Sequence, residues 1–400
     1  MRIAIIGGGA AGFMAAITAK KSSPDSEVLL FEKSNKLLSK VKISGGGRCN
    51  VTNACFSISE LSKKYPRGGA FLKKSFSQFF TKDTVEWFES KGVKLKAEDD
   101  NRMFPITDNS QTIIDCLLNE CNKAGVEINL QSSINKISKR ENTFDLDINT
   151  QTIGFDKVII ATGGSAKKQG FDWFSDLQLS IVDPVPSLFT FNMPNEDIKS
   201  LMGVVAQNAS VSIQGIKQKQ YGPLLITHWG MSGPAILKAS AWNARELNAN
   251  NYHFKINVNW ANLSEQEYIS ILNTTKNSNR TLSNKNPFNL PNRLWVFLLE
   301  KINISVDSIW NNLSKKESNR LLNTLLNDEY EVKGKTTFKE EFVTCGGVSL
   351  EEVNPQTLES KRHNGLYFCG EVLNIDGITG GFNFQAAWTT AYIAGKNCIK

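Results

Sequence analysis

Gly7-Gly-Gly-Ala-Ala-Gly12 fits G-x-G-x-x-G, and Glu32 stands 20 residues beyond its last glycine. Those residue types at that spacing suit the grip on a dinucleotide. Gly7 permits a tight turn, Gly9 lets the backbone approach a pyrophosphate, and Gly12 lets a helix pack closely on a strand. Free N–H groups at Gly9, Ala10 and Ala11, with the positive end of a helix dipole behind them, favour phosphate. The Glu32 carboxylate suits the hydroxyls of an adenosine ribose, and Lys33 beside it is a further candidate contact.

Three more stretches have the same character. Lys40-Val-Lys-Ile-Ser-Gly-Gly-Gly-Arg-Cys-Asn-Val-Thr-Asn53 contains three consecutive glycines, Gly45, Gly46 and Gly47. They suit the approach of backbone to a flat ligand, with Lys40, Arg48, Cys49 and Asn50 around them; a flexible turn between elements is the other reading. Lys157-Val-Ile-Ile-Ala-Thr-Gly-Gly164 is a buried strand running into Ala161, Thr162, Gly163 and Gly164, which suits the far side of the same crevice. Gly365-Leu-Tyr-Phe-Cys-Gly-Glu371 ends a strand on Gly370 and Glu371. A glycine-rich loop follows, and Gly380, Gly381, Phe382 and Asn383 then lead into a helix rich in small residues.

A second strand–glycine–helix unit behind a complete dinucleotide fingerprint argues for FAD rather than NAD as the main ligand. The second helix start, near Gly381 to Phe384, would aim N–H groups at the N1–C2=O edge of an isoalloxazine. Reduced flavin is negative there, so a positive helix end favours hydride uptake. Glu371 is placed to accept from ribityl hydroxyls. Only one complete fingerprint is present, so any NAD(P)H is expected to dock transiently. His228 is the one histidine inside a motif, Thr227-His-Trp-Gly-Met-Ser-Gly-Pro234, and is the candidate acid or base.

The elements that must position these residues are legible in outline. Arg2–Ile6 and Glu27–Phe31 read as buried strands around a helix from Ala11 to Lys21. Phe71 to Lys91 has helical periodicity with a break near Thr81, its aromatics reading as core. Arg102 to Ile106 reads as an extended loop and Ser110 to Lys123 as a helix. Val126–Leu130, Ile134–Ile137 and Phe144–Ile148 read as strands, with Phe155 starting another. Residues 187–262 alternate apolar and polar in short runs, as in an antiparallel sheet or barrel. Residues 263–330 read as helical, with capping boxes at Ser264–Glu267 and Ser314–Glu317. The texture reverts near Phe342.

Bulk properties set limits. At 400 residues the chain exceeds one ordinary hydrophobic core, so two or three domains are expected. Its apolar and charged fractions, 40% and 21%, exclude a disordered or fibrous chain. No apolar run is long enough to span a membrane. Seven cysteines without a disulfide framework fit a reducing cytoplasm, and Cys49 and Cys55 have neither zinc nor redox-pair spacing, so no metal is expected. Residues 1–100 hold 17 Lys/Arg and 10 Asp/Glu, the whole net surplus of +7. That suits a phosphate-bearing ligand. No arginine-rich block or RNA-binding signature is legible, so nucleic acid is not the expected partner.

Gly7–Gly12, Ile43–Asn53, Thr227–Pro234, Cys345-Gly-Gly-Val348, Glu359-Ser-Lys361 and Gly370–Asn383 together resemble the YhiN/BaiN-type FAD-dependent oxidoreductases, which include aminoacetone-oxidase-like flavoproteins. The resemblance runs from end to end. It implies an α/β fold with a Rossmann-like FAD-binding domain built from 1–186 and 346–400. A β-rich, barrel-like domain (187–262 and 331–345) and a small helical domain (263–330) interrupt it. It also implies that Gly45 to Asn50 lie beside the flavin and that Thr227 to Gly233 reach towards it. Asn374 departs from the family pattern, where Asp is common. The expected activity is hydride transfer between a small molecule and flavin, with NAD(P)H as a transient donor. The alternatives are an RNA-acting flavoprotein of the tRNA-modifying type or a flavoprotein whose FAD is structural. Oligomeric state is not legible.

Overall fold

A computed structural model describes residues 1–336 and 343–400. The expected change of texture at Phe342 therefore lies outside the described residues. The chain forms two units, Met1–Ser187 with residues 343–400, and residues 188–336.

The first unit is built on a five-stranded parallel sheet. Its order is Leu366–Phe368, Lys157–Ile160, β1 (Arg2–Ile6), β2 (Glu27–Phe31) and Glu127–Asn129. The central strands are apolar after their first residue, and Ile3, Ala4 and Ile5 have no exposed surface, because helices and the hairpin of residues 144–155 cover the sheet, Phe155 meeting Phe31 at 5.7 Å. One covering helix, α1 (Ala10–Ser22), follows β1 directly. It packs on the C-terminal helix Phe382–Asn397. Small residues set that distance, for a Cβ on Gly395 would lie 2.5 Å from the Ala15 carbonyl oxygen.

The strands being parallel, Gly7, Glu32, Ala161 and Cys369-Gly370 all leave the sheet at its carboxyl edge, where open α/β sheets bind ligands. Chain connectivity therefore gathers four of the sequence motifs at one edge. Further along come α2 (Ser39–Gly47), β3 (Thr52–Asn53), α3 (Ile58–Ser62) and α4 (Gly69–Ser75).

Three local expectations are refined. Arg102–Pro105 is not a loop but the middle strand of a small sheet, between β3 and Leu95–Ala97. Phe155 ends a strand, Gln151–Phe155, rather than starting one, because a turn at Asn149 folds that strand back onto Phe144–Ile148. The break in the aromatic helical stretch covers residues 76–80, and the second helix, Thr81–Glu89, starts where Asp83 accepts from the Phe80 N–H at 2.8 Å.

The second unit is a seven-stranded antiparallel sheet whose buried face packs with the helices Glu265–Thr275, Asn292–Lys301 and Lys315–Leu326 around one core. Trp260, Trp295 and Trp310 fill it. The β-rich and helical stretches thus share a single hydrophobic interior. Both capping boxes form as read: Ser264 and Ser314 accept from the N–H groups of Glu267 and Glu317, whose carboxylates reach back to the serine N–H at 2.7 and 2.9 Å. Those bonds hold both carboxyls below the usual range. Replacing either serine by alanine is expected to cost about 1 kcal/mol in urea unfolding. The carboxylate part of that stabilisation is present above about pH 4.5 and fades as pH falls through the lowered value.

Candidate active site

Steric demand separates the glycines of the first motif. Gly7 has φ +117°, and a Cβ there would lie 2.5 Å from the Ala161 carbonyl oxygen. A Cβ on Gly12 would lie 1.8 Å from the Gly7 carbonyl oxygen, so only glycine lets α1 sit on the end of β1. Gly9 differs from both: a Cβ there meets nothing within 4 Å. It is the N-cap of α1 and no side chain caps that helix start. The first helix thus presents uncapped N–H groups and a positive dipole end to open space.

Glu32 is half-buried and fixed, accepting from the N–H of Gly8 at 2.9 Å and of Ser34 at 2.9 Å and from the Ser34 hydroxyl at 2.8 Å. An ionised carboxylate has about four acceptor positions, so capacity remains for a ribose hydroxyl. Lys33 is exposed beside it.

The Gly45–Asn50 stretch is a strained turn, not a continuous helix. Gly45, Gly46 and Gly47 all have positive φ, and a Cβ on Gly46 or Gly47 would meet nothing within 4 Å. Arg48 holds the turn from behind. Its guanidinium contacts Glu98 at 2.6 Å and Asp108 at 3.5 Å and lies 3.9 Å from the centre of the Phe104 ring. Hydrogen bonding and the charges of those acids raise its pKa. These contacts fasten Arg48 to the turn. Cys49 is buried, and desolvation pushes its thiol up to about 12, which leaves it an inert thiol rather than half of a redox pair with Cys55.

The same stretch fastens the second helix start. The Asn50 amide donates to the Thr52 carbonyl and accepts from the Gly381 N–H, both at 2.9 Å. Asn53 donates to the Gly380 carbonyl at 3.0 Å, and Trp388 donates from its ring N–H to the Val51 carbonyl at 3.0 Å. Gly381 has φ +91°, and a Cβ there would lie 2.4 Å from the Thr52 carbonyl oxygen. Asn383 closes the preceding loop on Gly377, accepting from its N–H at 2.8 Å. The Phe382 carbonyl accepts from the Tyr65 hydroxyl at 2.7 Å.

Glu371 ties two motifs together. It receives Lys40 at 2.6 Å and the Thr344 N–H at 2.8 Å, and it lies 2.9 Å from a Cβ built on Gly164. Gly370 sits against Ala11, where a Cβ would approach to 2.8 Å. Gly163 and Gly9 have open space instead. Tight glycines that lock the frame and open glycines that face space make a cradle suited to an extended ligand held by backbone. That fits FAD.

Asp376, Arg67 and Ser187 escaped the sequence reading. Asp376 is fully buried and ion-paired with Arg67, whose Nε lies at 2.6 Å, and it accepts from the Ser187 hydroxyl at 2.8 Å. Burial raises its pKa, with Arg67 and Ser187 opposing. An acid inside an otherwise apolar and glycine-rich motif was the available signal. Asn374, the departure from the family pattern, has a buried side-chain oxygen with no hydrogen-bond partner among the described residues. His228 lies in the other unit, exposed on the turn between Lys219–Ile226 and Gly230–Ser232.

Comparison with known proteins adds to this geometry. A family model described as the HI0933-like protein Rossmann domain matches residues 1–397. The chain is 30% identical to a ribosomal RNA dihydrouridine synthase of Escherichia coli K12, over 99% of this chain and 97% of that protein. It is 28% identical to a 3-dehydro-bile acid delta(4,6)-reductase of Clostridium scindens, over 99% and 98%. Among solved structures, a 3-ketosteroid-delta4-(5alpha)-dehydrogenase from Rhodococcus jostii RHA1 has the same overall fold. It shows a TM-score of 0.51 at 11% identity, over 100% of this chain and 96% of that one.

Proposed function

The chain belongs to the HI0933-like Rossmann-domain family and is an FAD-dependent oxidoreductase, and from that premise we propose that it reduces a carbon–carbon double bond conjugated to a carbonyl, the substrate being a uracil ring in ribosomal RNA. One observation carries this reading. Two of the relatives matched end to end are named for different substrates, yet dihydrouridine formation and delta(4,6)-bond reduction are the same bond change. The greater identity is to the RNA enzyme. A small-molecule enone is the second reading, favoured by the bile acid relative.

Bound FAD would supply two-electron hydride transfer. In balance, NAD(P)H and one proton add two hydrogens across the double bond and NAD(P)+ is released. In this reading the first unit is the FAD-binding domain. The N–H groups of Gly9, Ala10, Ala11 and Gly12 hold the pyrophosphate, and Glu32 holds the ribose. Gly381, Phe382 and Asn383 hold the flavin edge that becomes negative, and Glu371 takes the ribityl hydroxyls. Gly45–Asn50 and Ala161–Gly164 line the ring and its chain. Cys49, Cys55, Cys116, Cys121, Cys369 and Cys398 are free thiols, which suits a reducing compartment, and we place the enzyme in the cytoplasm.

The test is incubation of the FAD-loaded protein with NADPH and unmodified ribosomal RNA made by transcription, followed by nucleoside mass analysis. Dihydrouridine is the expected product. Unchanged uridine together with reduction of a steroid-type enone would select the small-molecule reading. Failure on both substrates would sink the reductase proposal.

A further inference from the structure

Residues 33–82 contain eleven Lys/Arg and a single acid, Glu60. Several of those cations are committed. Lys40 pairs with Glu371, Arg48 with Glu98 and Asp108, Arg67 with Asp376, Lys63 with Glu60, and Lys82 with Glu86. Lys64, Lys73 and Lys74 form no ion pair among the described residues. The fold places these three near one another. Lys64 follows α3, and Lys73 and Lys74 are exposed on α4. The two helices meet closely, since a Cβ on Gly69 would lie 2.4 Å from the Ser62 carbonyl oxygen.

An exposed aromatic ring belongs to the same segment. Phe56, in the link from β3 to α3, is 59% exposed, more than any other large hydrophobic side chain described. A single exposed ring is ordinary by itself; the place of this one is what gives it weight. Asn53 donates to the Gly380 carbonyl, the Lys64 carbonyl accepts from the Ile378 N–H at 3.0 Å, and Tyr65 donates to the Phe382 carbonyl. The segment bearing Phe56 and Lys64 is therefore fastened to the loop that opens the second helix, the loop assigned above to the flavin edge.

We infer that Phe56 with Lys64, Lys73 and Lys74 forms the surface that holds single-stranded RNA beside the flavin edge. Phe56 stacks on a base and the lysines meet phosphates. The combination is the one unstructured RNA demands: a π-face that every base can use, and cations without competing carboxylates. Glu60 is the one acid of this segment, and Lys63 occupies it at 2.7 Å. The assignment rests on ribosomal RNA being the substrate, as proposed above.

The experiment is fluorescence anisotropy with the FAD-loaded protein and a labelled single-stranded ribosomal RNA fragment, titrated between 50 and 200 mM salt (roughly the range over which phosphate contacts are resolved). Phe56→Ala is expected to weaken binding about ten-fold or more, and Phe56→Trp to keep it. The triple variant Lys64→Ala, Lys73→Ala, Lys74→Ala is expected to reduce the slope of log K against log salt by about 2, since each phosphate contact contributes roughly 0.7. All four positions are at the surface, so flavin content and Tm serve as controls and should not move. If the wild-type protein makes dihydrouridine and the variants bind RNA as it does, the surface is wrong and the function stands. A wild-type protein that binds no RNA at low salt overturns both.

Discussion

Gly9→Ala is expected to abolish tight FAD binding while leaving the fold intact, and Gly12→Ala to damage the fold itself. The contrast follows from what each new methyl group meets. At Gly9 it meets nothing within 4 Å, and the backbone there, φ −94°, is open to any residue. Apoprotein stability should change by no more than about 0.5 kcal/mol, as for other changes that touch nothing. The methyl would instead occupy the space proposed for the pyrophosphate, and flavin affinity should fall by an order of magnitude or more. At Gly12 the methyl falls 1.8 Å from the Gly7 carbonyl oxygen. Gly7 has no room to retreat, since its N–H is bonded to the Phe31 carbonyl at 2.8 Å and its own α-carbon faces Ala161. The helix must move off the sheet, at a cost of about 3 kcal/mol or more. Flavin absorbance after reconstitution and urea unfolding of the apoprotein measure the two effects separately. Equal losses of stability in both variants would mean that the motif is only a packing device.

Arg67→Met is expected to be the most destabilising single change that leaves the cradle glycines untouched. It strands the Asp376 carboxylate, which has no exposed surface and, among the described residues, keeps only the Ser187 hydroxyl as a side-chain partner. Removing one partner of a buried pair costs about 3–5 kcal/mol, because the remaining charge is left without compensation. The pH dependence has a definite sign. Burial already raises the Asp376 pKa above its unfolded value, and loss of Arg67 raises it further. A carboxyl whose folded pKa is raised binds its proton more tightly in the folded state. Stability is then greatest near and below about pH 4, the unfolded value, and declines as pH rises through the folded one. The variant should therefore lose most at neutral pH and approach the parent in acid. The double variant Arg67→Met, Asp376→Asn should recover much of the loss, and urea unfolding at pH 4 and pH 7 reads all of it. A penalty that does not vary with pH would mean that the loss comes from packing and not from the stranded charge.

The parts of the fold that local chemistry dictates were legible in the sequence. Buried parallel strands announce themselves as apolar runs, so β1, β2 and Lys157–Ile160 read correctly. The capping boxes at Ser264 and Ser314 depend on residues three apart, and both form. What escaped depends on distant pairing. Arg102–Pro105 carries no alternation of its own and is a strand only because Thr52–Asn53 and Leu95–Ala97 flank it. Arg67 and Asp376 are 309 residues apart, and nothing local to either reveals the pair. Arg48 shows the same limit from the other side. Its place beside three glycines suggested a ligand contact, and nothing local foretold that Glu98, Asp108 and Phe104, all from later in the chain, hold it as well. The candidate cradle was readable for a related reason. Parallel connectivity sends every strand end to one edge, so the motifs at those ends must meet.

The central claim is most directly tested by an anaerobic titration of the purified protein with NADPH, followed by addition of unmodified ribosomal RNA, with the flavin absorbance recorded throughout. The account predicts a yellow protein that bleaches on reduction and recovers its colour when the RNA is added. A protein that purifies colourless and takes up no FAD, or one whose reduced flavin is indifferent to both RNA and enone, would contradict it.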